Sequence, residues 1–389
     1  MRGTDACCYG SVLVYVSIIN NLIVGSMDIR AIFLLGFSLV SALPGVCGVV
    51  ADRTDHLPVG FASVFDCRGT LLGFSDASGR LPAVDAGSYP LTLQSMGYEP
   101  LVADAVADTL FMMPKIYPLA EVTVSASEEH PVRHTTAYVR EYISMTSGND
   151  TVIVFGEYLA DFMTLTKKVK GFKGFNTPRV LARRTITHYG DISGRDSLAV
   201  NAEDTQMLSM VAMASLPDKP MELPESLRGH AVISDTVAGK HSIARIINAG
   251  NRGLTFREDF LADKKDHRWS PWIFKMFGLT TDFEEMWTSR DYSFSEEGMY
   301  PVENLRSISI NATATCKGKM FRFLTGSQGP TKMNVLLEIY PFDHEYLTVT
   351  DANDLKKNPP RKDKIIMAPQ APPLPAEVRE MTDRAVSRK

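Results

Sequence analysis

Chemistry at a protein site needs donors and acids at spacings that converge, and the eight histidines of this 389-residue chain are the first place to look. Zinc hydrolases hold their metal through patterns such as His-x-x-Glu or His-Glu-x-x-His, where a short spacing aims two side chains at one ion. None of His56, His130, His134, His188, His230, His241, His267 and His344 has Glu three residues later, and His344-Glu345 is followed by Tyr-Leu-Thr. His130 and His134 have the spacing of one helix face, but Pro131 and the strand-like residues beyond argue against a helix. Both are expected to be solvated linker residues. Asp150-Thr151 and Asp235-Thr236 lack the glycine that follows in aspartic proteases, and after the N-terminal segment there is no Gly-x-Ser-x-Gly elbow, phosphate-binding loop or dinucleotide glycine pattern. No catalytic residue, metal site or cofactor is assigned from the sequence.

A cluster of aromatics offers binding instead of catalysis. Trp269, Trp272, Phe274, Phe277 and Trp287 lie close in sequence to His267, Arg268 and Lys275. Such a group either lines a groove for a glycan, lipid or peptide or anchors helices onto a sheet. The candidate ligand-binding residues are Trp269, Trp272, Lys275 and Trp287. Lys167-Lys-Val-Lys170 and Arg183-Arg184 read as solvated surface. Cys67 falls in a turn, and Cys316 on the apolar face of a strand-like run, where a thiol is inert.

Composition sets the frame for these residues. The chain is 44% hydrophobic and 22% charged with a net charge of −4, enough apolar content for two domains and too little positive charge for nucleic acid. Residues 1–51 read as a targeting segment. Arg30 precedes the apolar run Ala31–Leu43, which Pro44 and Gly45 interrupt, with small residues for cleavage at Val46-Cys47-Gly48 or Val49-Val50-Ala51. The run is short for a membrane span. Met27 is read as the true start; the alternatives are an anchor that also uses Val12–Val24, or a lipoprotein at Cys47, although Pro44 and Val46 fit that pattern poorly. The expectation is an exported protein, periplasmic or associated with the outer membrane.

From about 54 to 126 short β-type runs alternate with turns. Phe61–Phe65, Leu91–Met96, Thr109–Met113 and Ala120–Val124 are the strands, and Asp66-Cys-Arg-Gly69 and Asp76-Ala-Ser-Gly79 have the Asp and Gly that type I turns favour. The succession Asp76-x-x-Gly79, Tyr89-Pro-Leu-Thr-Leu93, Met96-Gly-Tyr-Glu-Pro100 and Leu119-x-Glu-Val-x-Val124 resembles the carboxypeptidase regulatory-like domain, with Gly97-Tyr98 as its best marker. That resemblance implies a transthyretin-type, immunoglobulin-like sandwich of the kind common in Gram-negative envelope proteins. It covers about a fifth of the chain, and Pro82 departs from it where an aromatic-rich strand usually begins. It implies no peptidase activity.

Residues 132–358 are expected to form a larger domain entered through a linker at Glu128–Val132. Ile308, Ile310, Ala312, Ala314 and Cys316 alternate with polar residues as in a half-buried strand, continuing through Phe321–Leu324 and returning through Met333, Val335, Leu337 and Ile339. The alternation predicts a sheet with one wet face. Ala137–Met145, Thr151–Met163 and Val180–Tyr189 fit the same sheet. Helices are expected at Asp204–Ala214, Ser270–Phe277, Thr281–Trp287 and Asp351–Lys357, and residues 359–389 form a Pro-rich basic tail, solubilising along most of its length and helical in the stretch Ala376–Lys389. The fold class is therefore mainly β / α+β: a small sandwich followed by a larger antiparallel-sheet domain with inserted short helices. The function this supports is a non-enzymatic envelope protein, binding a glycan, a peptide or a partner protein or scaffolding through its second domain, with peripheral outer-membrane association. The alternative is a hydrolase with an unfamiliar site in the second domain.

Overall fold

The computed structural model describes residues 48–387 apart from 106, 117–128, 149, 191–196, 203–204, 206–207, 224–229, 238–239, 250, 273–274, 276–277, 294–298 and 360–363. The targeting segment before Gly48 and the strand expected at Ala120–Val124 lie outside the described residues. Within them the chain is mainly β, as its alternating pattern predicts.

Six short strands come first: β1 (Val49–Asp52), β2 (Ser63–Phe65), β3 (Leu71–Phe74), β4 (Leu91–Gln94), β5 (Leu101–Ala103) and β6 (Thr109–Met112). An antiparallel sheet in the order β3-β2-β4-β5 is joined by a parallel β1-β6 pair. Both Asp-x-x-Gly turns form: the amides of Gly69 and Gly79 donate to the carbonyls of Asp66 and Asp76 at 3.0 and 2.9 Å. Val50, Val59, Val64, Leu91, Leu93 and Tyr98 make this module's core. Val49–Ala51, the second of the two expected cleavage positions, begins β1, with Val50 and Ala51 buried.

The rest is built on one large sheet. Its strands are β7 (Val132–Ser147), β8 (Asp150–Leu165), β9 (Phe175–Gly190), β10 (Ser197–Val200), β12 (Val232–Val237), β13 (Lys240–Ala249), β14 (Asn251–Asp259), β15 (Leu279–Tyr292), β17 (Leu305–Gly318) and β18 (Thr331–Leu347). All pairs are antiparallel, in the order β10-β9-β8-β7-β18-β17-β15-β14-β13-β12. Two short strands, β11 (Met221–Glu222) and β16 (Met299–Tyr300), pair beside it. Helices α1 (Lys319–Thr325), α2 (Val349–Lys357) and α3 (Ala376–Ser387) complete the described structure.

Period-two alternation sorts the side chains onto two faces. The inner face gathers Val139, Ile143, Val154, Phe256, Phe283, Ile310, Val335 and Leu337 against Leu208, Met210, Val211, Leu216 and Leu223 from the segment that crosses it. Glu141, on the same face of β7 as Val139 and Ile143, is a fully buried carboxylate. It accepts from Ser209 Oγ at 2.8 Å, from Tyr158 Oη at 3.1 Å and from the backbone amide of Met210. Directly across from it stands Gly156, and a Cβ there would come within 2.6 Å of Tyr158 Oη. The glycine lets the tyrosine fold back to the acid. Burial raises the Glu141 pKa from 4.5 to about 7, against the three donors that lower it.

The outer face departs from expectation. It is polar, as predicted, but not wet: Ser307, Ser309 and Asn311 are all buried, because the small module and the C-terminal segment lie over it. Asn334 Nδ2 reaches the carbonyls of Leu71 and Leu72 at 3.1 and 3.0 Å. Arg245 bonds Asp52 and Asp55, each at 3.1 Å. Gly97 takes a φ of 79°, open to glycine, and lies against Ile247 of β13, while Tyr98 Oη donates to Asp52 at 2.9 Å. The Gly-Tyr pair thus faces the large sheet.

The tail also packs. Val378, Met381 and Ala385 of α3 join Phe65, Leu71, Tyr142 and Phe155 in one cluster, each large apolar side chain contributing about 1.5–3 kcal/mol on burial. The segment expected to be solubilising is structural from Ala368 onward, since apolar residues three or four apart hide within a charged composition. Two elements change type. Phe321–Leu324 is helix α1, not strand, because Gly318 breaks β17 at φ 135° and Gly326 caps the turn at φ 71°. Thr281–Trp287 is strand β15, not helix, for a reason given below. Of the expected Asp204–Ala214 helix, Val211–Met213 form a single 3-10 turn. Helix α2 covers the expected Asp351–Lys357 and is capped by Thr348 Oγ1, which accepts from the Asp351 amide at 3.2 Å.

A row of charges crosses the outer face. Arg184 on β9, Glu157 on β8, Arg140 on β7 and Glu338 on β18 are successive cross-strand partners. Arg184 is therefore half-buried and paired with Glu157 rather than solvated. Arg140 is wholly buried; its Nε donates to Glu338 at 2.9 Å, Nη2 to Tyr340 Oη at 2.9 Å and Nη1 to the Pro372 carbonyl at 2.8 Å. Removing one member of such a pair strands the other. Arg140→Met is expected to cost about 3–5 kcal/mol in denaturant unfolding and to expose residues 364–387 to limited proteolysis, and adding Glu338→Leu should restore much of the stability. Glu141 sets a separate pH effect. Between pH 4.5 and about 7 the folded chain holds a proton that the unfolded chain releases, so stability falls as pH rises through that window. Glu141→Gln should flatten this part of the pH–stability curve, removing a slope worth on the order of 3 kcal/mol; an unchanged slope would assign it elsewhere.

Candidate functional site

The expected aromatic cluster is divided between the two faces of β15. Phe283 pairs with Ala314 on the inner face, and Met286 with Ala312 on the same face. The odd spacing comes from a β-bulge between Phe283 and Glu285, where Glu284 is the extra residue. A bulge turns period two into a spacing of three, and Phe283, Met286 and Trp287 then mimic a helix face. That is why the sequence reads as helical there.

Trp269 follows Phe283: the rings stack at 5.5 Å, with Phe260 at 5.3 Å on another side, so Trp269 is half-buried packing. Trp272 is 70% exposed, and Lys275 is exposed. Phe274 and Phe277 lie outside the described residues. Trp287 points to the outer face, 4.4 Å from Phe61 and 5.7 Å from His241. Among the described residues no ring contact joins the three tryptophans.

Trp287 does line a cavity, in other company. About 330 Å³ lies between the small module and the large sheet, bounded by Phe61, Phe74, Ser75, Asp76 and Ala77 on one side and Asp259, His267, Glu284, Glu285, Trp287 and Asn311 on the other. This is the lower end of the range for small-molecule pockets, about 300–1,000 Å³. Each wall has a local cause. The Asp76 turn is held by amides of Ser78 and Arg80 on Oδ1, at 2.8 and 2.9 Å. The bulge brings Glu284 and Glu285 to one rim. Asp259 ends β14, accepting from the Leu261 amide at 2.8 Å and meeting His267 Nε2 at 2.6 Å. Phe61 and His267 both adopt positive φ, 61° and 52°, which bulky residues rarely take outside constrained sites. Asn311 is 4% exposed, its Nδ2 donating to the Phe61 carbonyl at 3.2 Å and its Oδ1 meeting no donor.

Trp287 is the candidate binding residue that lines this site, together with His267, which lies beside the same aromatic cluster in sequence. Asp76, Asp259, Glu284, Glu285 and Asn311 were missed because four separate segments supply them. The one local signal was Glu284-Glu285 breaking a two-residue alternation.

Other ionisable groups cluster away from the cavity. His134 is buried in β7, not solvated, with Nε2 2.9 Å from Asp161 and Nδ1 2.7 Å from Glu345. Arg179 bonds the same Asp161 and the carbonyls of Leu355 and Lys356 at the end of α2. The two carboxylates outweigh burial and raise the His134 pKa, while His134 and Arg179 hold Asp161 low. Through Arg179, this cluster ties the end of α2 to the sheet. Ser234 Oγ lies 2.6 Å from His241 Nε2 on neighbouring strands, but no described carboxylate bonds the other ring nitrogen. Cys316 is buried against Thr281, its thiol pushed up to about 12 by burial. Among the described residues no group of three or more His, Cys, Asp or Glu is placed to hold a metal ion, and no helix is long and apolar enough to cross a membrane.

No protein-family model matches the chain, and no curated protein matches it. Among solved structures, one described as lipid–protein interactions in lipovitellin is similar at a TM-score of 0.29 and 8% identity, over 57% of this chain and 26% of that chain. The present chain thus spans about a quarter of the lipovitellin chain, a likeness too slight to carry a functional argument.

Proposed function

We propose that this protein is a non-enzymatic component of the cell envelope that binds a ligand in the cavity between its small module and the outer face of its large sheet. The observation that carries the reading is the cavity itself: about 330 Å³, walled by aromatic rings and carboxylates on rigid strands and turns, with no nucleophile–base pair among its lining residues. The resemblance of residues 54–126 to the carboxypeptidase regulatory-like domain supports an envelope setting, as does the Arg30-led apolar run at Ala31–Leu43. In this reading the small module closes one wall of the site rather than acting as a detached spacer. A hydrolase would need an activated nucleophile, and the Ser234–His241 pair, exposed at its serine on an edge hairpin, lacks an orienting acid.

Ligand-observed NMR against a mixed library of neutral, anionic and cationic fragments tests the binding reading. Fragments should bind the wild type and be lost in Ala77→Phe, where an exposed rim residue is enlarged into the cavity without touching either core. Equal binding by both proteins, or none by either, would end it. For the envelope setting, mass spectrometry of protein from the envelope fraction should find a new N-terminus before Val49. A start beyond Ala51 is incompatible with β1.

A further inference from the structure

We infer that the ligand of this cavity is an organic cation, a primary ammonium or guanidinium carried on a short aliphatic chain. The inference rests on the binding reading above and adds the ligand's chemistry.

The walls are rich in acidic acceptors and poor in positive charge. Asp76, Asp259, Glu284 and Glu285 contribute carboxylates, and His267, bonded to Asp259, is the one basic side chain among the lining residues. Several acceptors are unspent. Glu285 is exposed and has no bonded partner among the described residues. Asp76 uses Oδ1 for its own turn and leaves Oδ2 free, and Glu284 engages Oε1 with Thr315 at 2.9 Å and Arg268 at 3.3 Å, leaving Oε2. Independently of these acids, Asn311 Oδ1 is a buried acceptor with no donor in reach. A buried carbonyl oxygen left unmatched asks for a donor from whatever enters.

The aromatic walls ask for the same ligand. Trp287 and Phe61 both line the cavity, their ring centroids 4.4 Å apart, and aromatic faces attract cations. Phe61 already receives one, since the Arg257 guanidinium lies over its ring at 5.4 Å. Size argues against a bare metal ion: the carboxylates are dispersed around about 330 Å³, and none of the described acid or histidine groups converges at metal-ligand distances. A cation with three or more N–H donors and an apolar stem meets the acids, the Asn311 oxygen and the rings together.

The full chain labelled with 5-fluorotryptophan provides the test, the Trp287 resonance being assigned with Trp287→Phe. Butylammonium, agmatine, acetyl-Gly-Lys-Gly-amide and its norleucine analogue are titrated separately. The cationic ligands should shift the Trp287 signal saturably and the norleucine peptide should not. Binding should weaken at least tenfold in Glu284→Gln/Glu285→Gln and fall as salt is raised. A response to the peptide alone would assign a protein lysine as the source of the cation, and a response to the amines as well would admit a free small molecule. If the norleucine peptide binds as well as the lysine peptide, or the double variant binds unchanged, the cation assignment is wrong. Neutral or anionic fragments displaced by Ala77→Phe would then still uphold the binding reading.

Discussion

A sheet buried on both faces cannot leave a charge unpaired, and the rest of this structure follows from that constraint. The outer face carries Arg140, Glu157, Glu338, Arg245 and Asp291 out of water, each at under a tenth of its full exposure. Unpaired, any of them would cost several kcal/mol. Cross-strand registry solves part of the problem by setting Arg184, Glu157, Arg140 and Glu338 in alternating sign. The remaining hydrogen-bond capacity is met from outside the sheet. Arg140 takes the Pro372 carbonyl and Arg245 takes Asp52, Asp55 and the carbonyl of Pro58. The small module and the C-terminal segment are therefore partners of the sheet's charges, and their positions are dictated by polar groups that have few other ways to be satisfied. Arg257 shows the limit of the arrangement: burial lowers its pKa to about 10, its Nε has no partner, and its compensation is the face of Phe61.

The inner face obeys the opposite rule. Its core is apolar and closes over the segment around residues 208–223, so a single polar group there has a large effect. Glu141 gives that segment a fixed attachment by accepting from consecutive residues, Ser209 and Met210. A hydrophobic contact would hold the segment with comparable strength but without fixing its register. The cost is a carboxyl whose charged form is disfavoured near neutrality.

Much of this was legible in the chain. The strands β7, β8, β17 and β18 follow directly from alternation, and the Asp66 and Asp76 turns from their Asp and Gly. What alternation could not reveal is which polar face is covered. Ser307, Ser309 and Asn311 read as solvent-facing because a strand reports only that its two sides differ, and the cover comes from residues more than two hundred positions earlier. The bulge at Glu284 misled in another way, since one inserted residue converts a strand's period into a helix's over a short window. His134 was misjudged because its partners, Asp161 and Glu345, are distant in sequence. The tail was misjudged because Val378, Met381 and Ala385 are few among many charges.

The cavity is a consequence of the same geometry. Where the module's β3 and its Asp76 turn reach the sheet, β15 is bulged and its outward side chains are offset from the regular pleat, so the two surfaces do not mesh. Trp287 and Phe61 fill part of the gap and Asn311 marks its floor. In a purely structural junction, such a space would be expected to be apolar and to shrink, since empty apolar volume is costly and unmatched buried oxygens more so. Here the walls are instead acidic, and Phe61 and His267 hold backbone conformations that bulky residues seldom adopt. Stability alone does not account for that combination, and the proposed binding of a donor-rich ligand would.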